Sequence, residues 1–225
     1  MSSQNRLLAR RVASLYGNTF LSRYVYWKIV VDPVYGAVAE RLDGNGRHLI
    51  DLGCGVGVLP FYLRESGVGS SITGLDFDQK KIDRARRISD GRYEGLIFES
   101  KAVEELQDVS GDIVLLDILH YLDTDLQDRL LRSISERMTE GARVIVRDTL
   151  ADGGWRARVT WLGEAISRAS GWMRTTRINF PTLQQIDACF PEDRFERHVR
   201  PLWGRTPFNN FLLEYRRREE QPELS

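Results

Sequence analysis

The stretch that most constrains the fold is HLIDLGCGVG, residues 48–57, in which an apolar run is followed by glycines at alternate positions. A glycine inside regular structure costs about 0.5–1 kcal/mol relative to alanine, so several close together require a compensating role. In parallel α/β sheets, a glycine-rich turn between a strand and a helix lets the backbone approach a ligand bound beyond the carboxyl end of the strand. The sequence therefore predicts a ligand-binding loop at Gly53, Gly55 and Gly57.

Strand-like and helix-like segments alternate from residue 47 to about residue 150. Apolar runs predict strands at residues 48–52, 70–76, 95–99, 112–119 and 141–149. Apolar residues at three- and four-residue spacing predict helices at residues 58–66, 78–88 and 124–138. The second of these helices is expected to begin at the N-cap Asp78, and the third at Thr124 or Asp125. This alternation predicts an α/β fold with a doubly wound parallel sheet.

The two ends of the chain depart from the alternation. Residues 1–45 carry apolar residues at helical spacing, and a further helix is expected near residues 155–170. Two strand-like runs follow, at residues 195–203 and 209–217, and Gly204 to Pro207 supplies turn chemistry between them. Strands joined so closely pair antiparallel. We therefore expect a parallel sheet with an antiparallel hairpin at its C-terminal end.

An acidic residue ends the second predicted strand and lies close to the glycine loop. Asp76 closes ITGLD, one short strand away from Asp51. A carboxylate at this point can accept hydrogen bonds from both hydroxyls of a ribose, and Phe77 beside it can pack on an adenine ring. The dinucleotide fingerprint G-x-G-x-x-G/A, counted from Gly53, fails at Val58. The pattern predicts a nucleoside-containing ligand and disfavours a nicotinamide dinucleotide.

The motif D-x-G-x-G-x-G, from Asp51 to Gly57, resembles the first motif of class I S-adenosylmethionine (SAM)-dependent methyltransferases. The resemblance implies SAM as the cofactor and a Rossmann-like, seven-stranded sheet in the order 3-2-1-4-5-7-6. In that family the loop packs against the methionine part of the cofactor, and an aspartate after the third strand lies near the adenine amine. This sequence departs from the family there, because IFESKAVEEL places Lys101 and Ala102 at that point and leaves the contact to backbone groups.

The end of the fourth predicted strand, LLDILHYL, is similar to a DxLHxL pattern common in the same family. The resemblance implies that Asp117 and Leu119 line the cofactor side and that His120 and Tyr121 contact the methyl acceptor. Histidine titrates near neutral pH, so His120 is the candidate base if the acceptor is a hydroxyl. The alternative is that His120 caps the next helix or packs on the cofactor. Arg147-Asp148, at the end of the fifth strand, is expected to form an internal ion pair or to contact the acceptor.

These arguments give two groups of predicted site residues and no metal site. The catalytic residues are His120 and Tyr121. The cofactor-binding residues are Asp51, Gly53, Cys54, Gly55, Asp76, Phe77, Lys101, Ala102, Asp117 and Leu119.

Flanking segments resemble methyltransferases of bacterial aryl-polyene and related polyketide-like gene clusters. The similar segments are RYVYWKIVVDPVY, LDILHYL, RDTLADGGWRARVT and GRTPFNNFLL. The resemblance implies a small-molecule acceptor in secondary metabolism, either an aromatic hydroxyl or an aryl or acyl chain presented by an acyl carrier protein.

The N-terminal helices are expected to form a lid over residues 46–225, which would be a single methyltransferase domain. Aromatic side chains within residues 1–45 provide a surface that can enclose a flat acceptor: Tyr16, Tyr24, Tyr26 and Trp27. The alternative is that each of these residues belongs to the ordinary core.

Composition narrows the expected partners and compartment. Lys plus Arg and Asp plus Glu both number 32, which gives no general drive toward nucleic acid. Two cysteines and the lack of a signal-like or membrane-spanning apolar stretch predict a cytoplasmic protein without stable membrane insertion. We expect a monomer or a homodimer, between which the sequence does not decide. Two other functions stay open: an NAD(P)-dependent oxidoreductase and a non-catalytic SAM-binding partner subunit.

Overall fold

The computed structural model describes residues 3–17, 19–42, 44, 46–106, 110–151, 178–203 and 209–219. The helices within this part of the chain are α1 (Ser3–Ser14), α2 (Thr19–Val31), α3 (Val34–Leu42), α4 (Val58–Glu65), α5 (Gln79–Ser89), α6 (Thr124–Arg137) and α7 (Leu183–Asp187). The strands are β1 (Leu49–Leu52), β2 (Ile72–Asp76), β3 (Leu96–Ser100), β4 (Asp112–Leu116), β5 (Arg143–Thr149), β6 (Phe195–Pro201) and β7 (Asn210–Arg217). Single 3₁₀ turns lie at Val103–Glu105 and Leu119–Tyr121.

The strands form a seven-stranded sheet in the order β3-β2-β1-β4-β5-β7-β6. The pairs β1–β2, β2–β3 and β4–β5 are parallel, whereas β7 pairs antiparallel with both β5 and β6. The central residues of β4 and β5 are Val, Ile and Leu without exposed surface, as parallel strands covered on both faces require. The predicted α/β fold with its C-terminal antiparallel hairpin is confirmed.

The chain divides into two compact units, of which the first comprises residues 1–106 and 202–206. In this unit α5 packs on β2 and β3, and α4 contacts α1 and α3. The Tyr62 hydroxyl of α4 donates a hydrogen bond of 3.0 Å to Asn5 Oδ1 of α1, which ties the N-terminal helices to the helix that follows the glycine loop. A lid function for residues 1–45 stays a prediction.

The second compact unit comprises residues 107–201 and 207–225 and contains β4 to β7 with α6 and α7. Sequence periodicity missed α7 because this helix has only five residues. Its N-terminus has a capping box, in which the Thr182 side chain accepts from the Gln185 amide while the Gln185 side chain accepts from the Thr182 amide. The T-x-x-Q spacing in PTLQQ is the sequence signal that could have located this helix.

Two sequence-predicted boundaries in the second unit are wrong. The N-cap of α6 is Asp123, rather than Thr124 or Asp125, because Asp123 has extended backbone and its carboxylate accepts from the Leu126 amide at 2.8 Å. Strand β4 ends at Leu116, because the next residue, Asp117, has a φ of 58° in the left-handed region, which no strand continues through. The helix expected near residues 155–170 and the turn at 204–207 lie outside the described residues.

In the part of the chain that the structure covers, no helix combines the length and the apolar character needed to cross a bilayer.

Candidate active site

The glycine loop connects β1 to α4 with left-handed backbone at Gly53, Gly55 and Gly57, whose φ angles are 76°, 58° and 82°. The loop is fixed to the end of β2, because the amides of Gly53 and Cys54 donate to the Leu75 carbonyl at 2.7 and 2.9 Å. Glycine adopts this conformation without the steric penalty that a Cβ brings. The backbone geometry thus explains why the sequence accepts the cost of several glycines here.

Two glycines of this loop have different roles. A Cβ on Gly57 would lie 2.9 Å from Phe61 and 3.0 Å from Phe98, so this glycine permits close packing inside the unit. A Cβ on Gly55 would meet no atom within 4 Å. The Gly55 backbone therefore faces open space, as a backbone that contacts a ligand must.

Asp76 fixes the glycine loop from the end of β2. Its Oδ2 accepts from the Gly55 amide at 2.9 Å, and its Oδ1 accepts from the Asp78 amide at 2.9 Å. The ammonium of Lys81 lies 3.9 Å from Oδ1. Each carboxylate oxygen has two acceptor sites, so Asp76 keeps capacity for additional donors such as hydroxyl groups.

Asp51 is a buried carboxylate, and no cation among the described residues lies at hydrogen-bond distance from it. It is 2% exposed, and its Oδ2 has no hydrogen-bond partner in the described part of the chain. Burial, with a smaller contribution from the nearby Asp76, raises the pKa of Asp51 to about 7. A cationic ligand group at this carboxylate would provide both the missing hydrogen bonds and the missing charge.

The other predicted cofactor residues of the first unit differ in exposure. Cys54 is buried, and its sulfur packs beside Gly74 of β2, so it can reach a ligand only through its backbone. Phe77 is 78% exposed, with the Lys81 ammonium 5.8 Å from the centre of its ring. The Lys101 amide donates to the Asp76 carbonyl at 3.2 Å, and its ammonium pairs with Glu99 at 2.6 Å. Ala102 precedes the first 3₁₀ turn.

In the second unit, Asp117 and Arg147 form an ion pair. The Asp117 amide also donates to the Arg147 carbonyl at 2.9 Å, which fixes the left-handed residue to the end of β5. Leu119, which was predicted with Asp117 on the cofactor side, has no exposed surface. Cofactor contacts by Asp117 and Leu119 stay predictions.

His120 and Asp148 form a buried pair. The imidazole Nδ1 lies 2.6 Å from Asp148 Oδ1, and the Asp148 side chain has no exposed surface. Asp148 Oδ2 accepts from the Leu119 amide at 3.0 Å, and Oδ1 accepts from the Thr149 amide at 2.8 Å. An ionised carboxylate only accepts hydrogen bonds, so Nδ1 carries the proton and the Nε2 of a neutral ring keeps its lone pair. The pair therefore has the arrangement of a base held by a carboxylate.

Neighbouring residues hold the 3₁₀ turn that carries His120. The His120 carbonyl accepts from the Asn179 amide at 2.9 Å, and Gln127 Nε2 donates to the carbonyls of Leu119 and Asn179, both at 2.8 Å. The ring of Tyr121, the other predicted acceptor contact, lies 4.1 Å from the His120 ring between centroids. The imidazole is therefore positioned by its neighbours as well as by Asp148.

An ion pair between Arg147 and Asp148, one of the two expectations for these neighbours, is wrong, because the structure gives them different partners. Successive side chains of a strand face opposite sides of the sheet, and Arg147 pairs with Asp117 while Asp148 pairs with His120. No sequence spacing links Asp148 to His120, since the two are 28 positions apart. His120 does not cap α6, whose N-cap is Asp123.

Comparison with known proteins agrees with this geometry. Residues 43–173, more than half of the chain, match a family model described as a methyltransferase domain. A curated relative, the cypemycin N-terminal methyltransferase of a Streptomyces species, is 33% identical over 96 residues, which are 39% of this chain and 39% of that protein. The chain spans less than half the length of the curated relatives that it matches.

Solved structures show the same fold. The magnesium protoporphyrin IX methyltransferase of Synechocystis PCC 6803 with bound S-adenosylhomocysteine (SAH) has a TM-score of 0.65 at 18% identity, over 96% of this chain and 95% of that chain. The mitomycin 7-O-methyltransferase has a TM-score of 0.65 at 20% identity, over 92% and 60% of the two chains. A second structure of the Synechocystis enzyme, which contains SAM, has a TM-score of 0.64 at 16% identity. The chain belongs to the methyltransferase domain family, and its fold is that of the class I SAM-dependent methyltransferases.

Proposed function

We propose that this protein transfers the methyl group of SAM to a hydroxyl of a small-molecule acceptor. The observation that carries the proposal is the buried His120–Asp148 pair, in which a carboxylate holds an imidazole at 2.6 Å. Such a pair is useful when the reaction must remove a proton, which a hydroxyl acceptor requires. Membership of the methyltransferase domain family supports the coarser part of the proposal.

The glycine loop and its two aspartates fit the proposed cofactor. Asp51, whose buried Oδ2 has no hydrogen-bond partner among the described residues, would bind the ammonium group of the methionine part. Asp76 would accept from the ribose hydroxyls, and the open space beside Gly55 would admit the cofactor to the backbone. Phe77 would cover one face of the adenine, and backbone groups of Lys101 and Ala102 would contact its edge.

When bound, SAM would supply a methyl group made electrophilic by the positively charged sulfur that carries it. The residues of this chain need to align the acceptor and accept its proton, because alignment contributes much of the rate in a methyl transfer. His120 Nε2 would accept the proton of the acceptor hydroxyl as the acceptor is methylated. Asp148 stabilises the resulting imidazolium. Tyr121, whose ring is tilted against that of His120, would contact the acceptor.

The cofactor can be tested by calorimetric titration of the purified chain with SAM, SAH and NADH. Micromolar binding of SAM and SAH is expected, with no binding of NADH. Asp76→Ala should weaken SAM binding at least tenfold, on the order of 1.4 kcal/mol. Asp83→Ala removes an exposed carboxylate on α5 and is the matched control, with binding unchanged. Preferential binding of NADH would contradict the proposal and favour an oxidoreductase.

The acceptor class can be tested by offering small phenols and aliphatic alcohols with SAM and measuring the release of SAH. Methylation of oxygen is expected, and a purely nitrogen- or carbon-methylated product would contradict the hydroxyl proposal. Repeating the assay with acceptors attached to an acyl carrier protein tests whether presentation on a carrier is required. Cofactor binding without turnover on any acceptor would instead favour a non-catalytic SAM-binding subunit.

A further inference from the structure

Helix α2 exposes a stripe of large apolar side chains. They recur at spacings of four, three and four residues: Phe20, Tyr24, Trp27 and Val31. Their exposed fractions are 68%, 40%, 55% and 38%. This spacing places the four side chains along one side of a helix. Val25 and Ile29 lie on another side and are fully buried. The core of the unit therefore uses one apolar side of α2 and leaves a second one at the surface.

The same segment is basic and contains no acidic residue. Residues 1–31 hold five cationic side chains and no Asp or Glu, although the formal net charge of the whole chain is zero. The cations are Arg6, Arg10, Arg11, Arg23 and Lys28, and all four arginines are exposed. Leu7 of α1, 51% exposed, adds apolar surface one turn before Arg10 and Arg11. We call these exposed apolar and cationic residues of α1 and α2 the basic aromatic surface.

We propose that the basic aromatic surface binds the headgroup region of an anionic membrane. Tyr and Trp favour this region because each combines an apolar ring with a polar group. Arginine and lysine can extend their charged ends to lipid phosphates while their stems contact apolar surface. The 13 residues of α2 are fewer than the roughly 20 that span a bilayer, so the helix would lie along the interface.

The charge of this surface disfavours a second copy of the chain as its occupant. Two identical surfaces would bring cations against cations, since α1 and α2 contain no acidic residue to pair with them. Like charges brought together across an interface are unfavourable. A homodimer through α2 would therefore lose the electrostatic attraction that an anionic partner supplies.

The area of the surface disfavours a folded protein as its occupant. The exposed parts of the five apolar side chains sum to an area on the order of 500 Å². A standard protein interface buries roughly 800 Å² on each partner. A lipid interface needs no complementary shape, and its attraction grows with the number of cations near the surface. An anionic bilayer can therefore contact more of these residues at once than an acidic protein can.

The experiment is flotation of the full chain with vesicles of phosphatidylcholine alone and with vesicles that also contain phosphatidylglycerol. Binding is expected with the anionic vesicles only, and added salt should weaken it because salt screens the cations. The double variants Phe20→Ser/Trp27→Ser and Arg10→Gln/Arg23→Gln should each reduce binding by about tenfold or more. Ile97→Ser, which changes an apolar residue of β3 with 52% exposure, is the matched control and should bind as the unmodified chain does.

The variants change exposed side chains, so thermal unfolding midpoints close to that of the unmodified chain should show that each remains folded. Failure of the unmodified chain to bind anionic vesicles would overturn the proposal. Binding to poly-glutamate without binding to vesicles would overturn it in favour of an acidic protein partner. A dimer in sedimentation velocity that Phe20→Ser/Trp27→Ser dissociates would overturn it in favour of a second copy.

Discussion

The two compact units each contain a pair of acids associated with the predicted site, and the two pairs differ in how their charges are balanced. In the second unit, Asp117 pairs with Arg147 and Asp148 pairs with His120. In the described part of the first unit, no cation lies at hydrogen-bond distance from Asp51, and its pKa is raised to about 7 by burial and by Asp76. Both acids of the second unit therefore have a basic side chain as partner, whereas Asp51 in the first unit has none among the described residues.

Under the proposed function, the two pairs would meet different demands. A group that accepts a proton must be oriented before the acceptor arrives, and the buried Asp148 would provide this orientation for His120. A carboxylate that binds a cationic cofactor gains its partner only on binding, so its desolvation cost remains in the cofactor-free protein. The partners of Asp148 are present within the fold, whereas Asp51 would gain a charged partner only when the proposed cofactor binds.

The largest expected effect is on kcat and comes from substituting either member of the His120–Asp148 pair. His120→Ala and Asp148→Asn should each lower kcat by about 10²–10⁴-fold, because the first removes the proton acceptor and the second no longer fixes its tautomer. SAM affinity should stay unchanged in both, as measured by calorimetry. His198→Ala removes an exposed histidine of β6 and serves as the control. Equal turnover by His120→Ala would remove this residue from the mechanism.

Neutralising Asp51 should raise the stability of the folded protein and weaken the binding of SAM. A carboxylate whose pKa is raised in the folded state binds more protons folded than unfolded, so its contribution to stability falls as pH rises from about 4 to about 7. Asp51→Asn should remove this slope and raise the free energy of unfolding above neutral pH by up to about 4 kcal/mol. Urea unfolding at a series of pH values measures the slope.

The same Asp51→Asn variant should bind SAM more weakly than the unmodified chain, by about tenfold or more. Binding to the unmodified chain should tighten as pH rises through the raised pKa of Asp51, because the ionised carboxylate attracts the cationic cofactor. Calorimetry over the same pH series measures both effects. A variant that is less stable and binds SAM normally would show that Asp51 has a structural role only.

Substitutions of Gly57 and Gly55 test two different roles of the loop, which are packing inside the unit and access of the ligand to the backbone. Gly57→Ala should destabilise the protein by roughly 2 kcal/mol, because it combines a φ of 82° with contacts of 2.9–3.0 Å to Phe61 and Phe98. Gly55→Ala incurs only the backbone strain, about 1 kcal/mol, and its methyl would occupy the proposed cofactor space. Thermal unfolding and SAM titration of both variants test this contrast. Normal SAM binding by Gly55→Ala would contradict the assigned position of the cofactor.

The smallest expected effect concerns the link between the N-terminal helices and the glycine loop. The buried Tyr16 hydroxyl donates to the Val56 carbonyl at 3.2 Å, and burial raises the pKa of Tyr16 well above its usual range, so the hydroxyl stays a donor. Tyr16→Phe should cost about 1 kcal/mol and slightly weaken SAM binding. Tyr24→Phe, on the exposed side of α2, is the control. Loss of stability in the control alone would contradict the assignment.

Local patterns determined much of this protein before any contact was known. Alternating apolar strands and amphipathic helices specify the α/β fold, because both periodicities are properties of the chain itself. Glycines at 53, 55 and 57 specify a left-handed loop, because only glycine adopts that backbone freely. Asp78 specifies the start of α5, since an N-cap bonds to amides only two or three residues away. Each of these predictions depends on neighbours in sequence.

Only the tertiary structure decided which charges meet. Arg147 and Asp148 are adjacent in sequence, yet the alternation of a strand sends them to different partners, Asp117 and His120. The raised pKa of Asp51 likewise depends on how completely the fold removes this carboxylate from water. Electrostatic interactions depend on distance and burial in space rather than on separation along the chain. Local sequence therefore specified the glycine loop, whereas three-dimensional packing paired Asp117 with Arg147 and Asp148 with His120 and removed Asp51 from water.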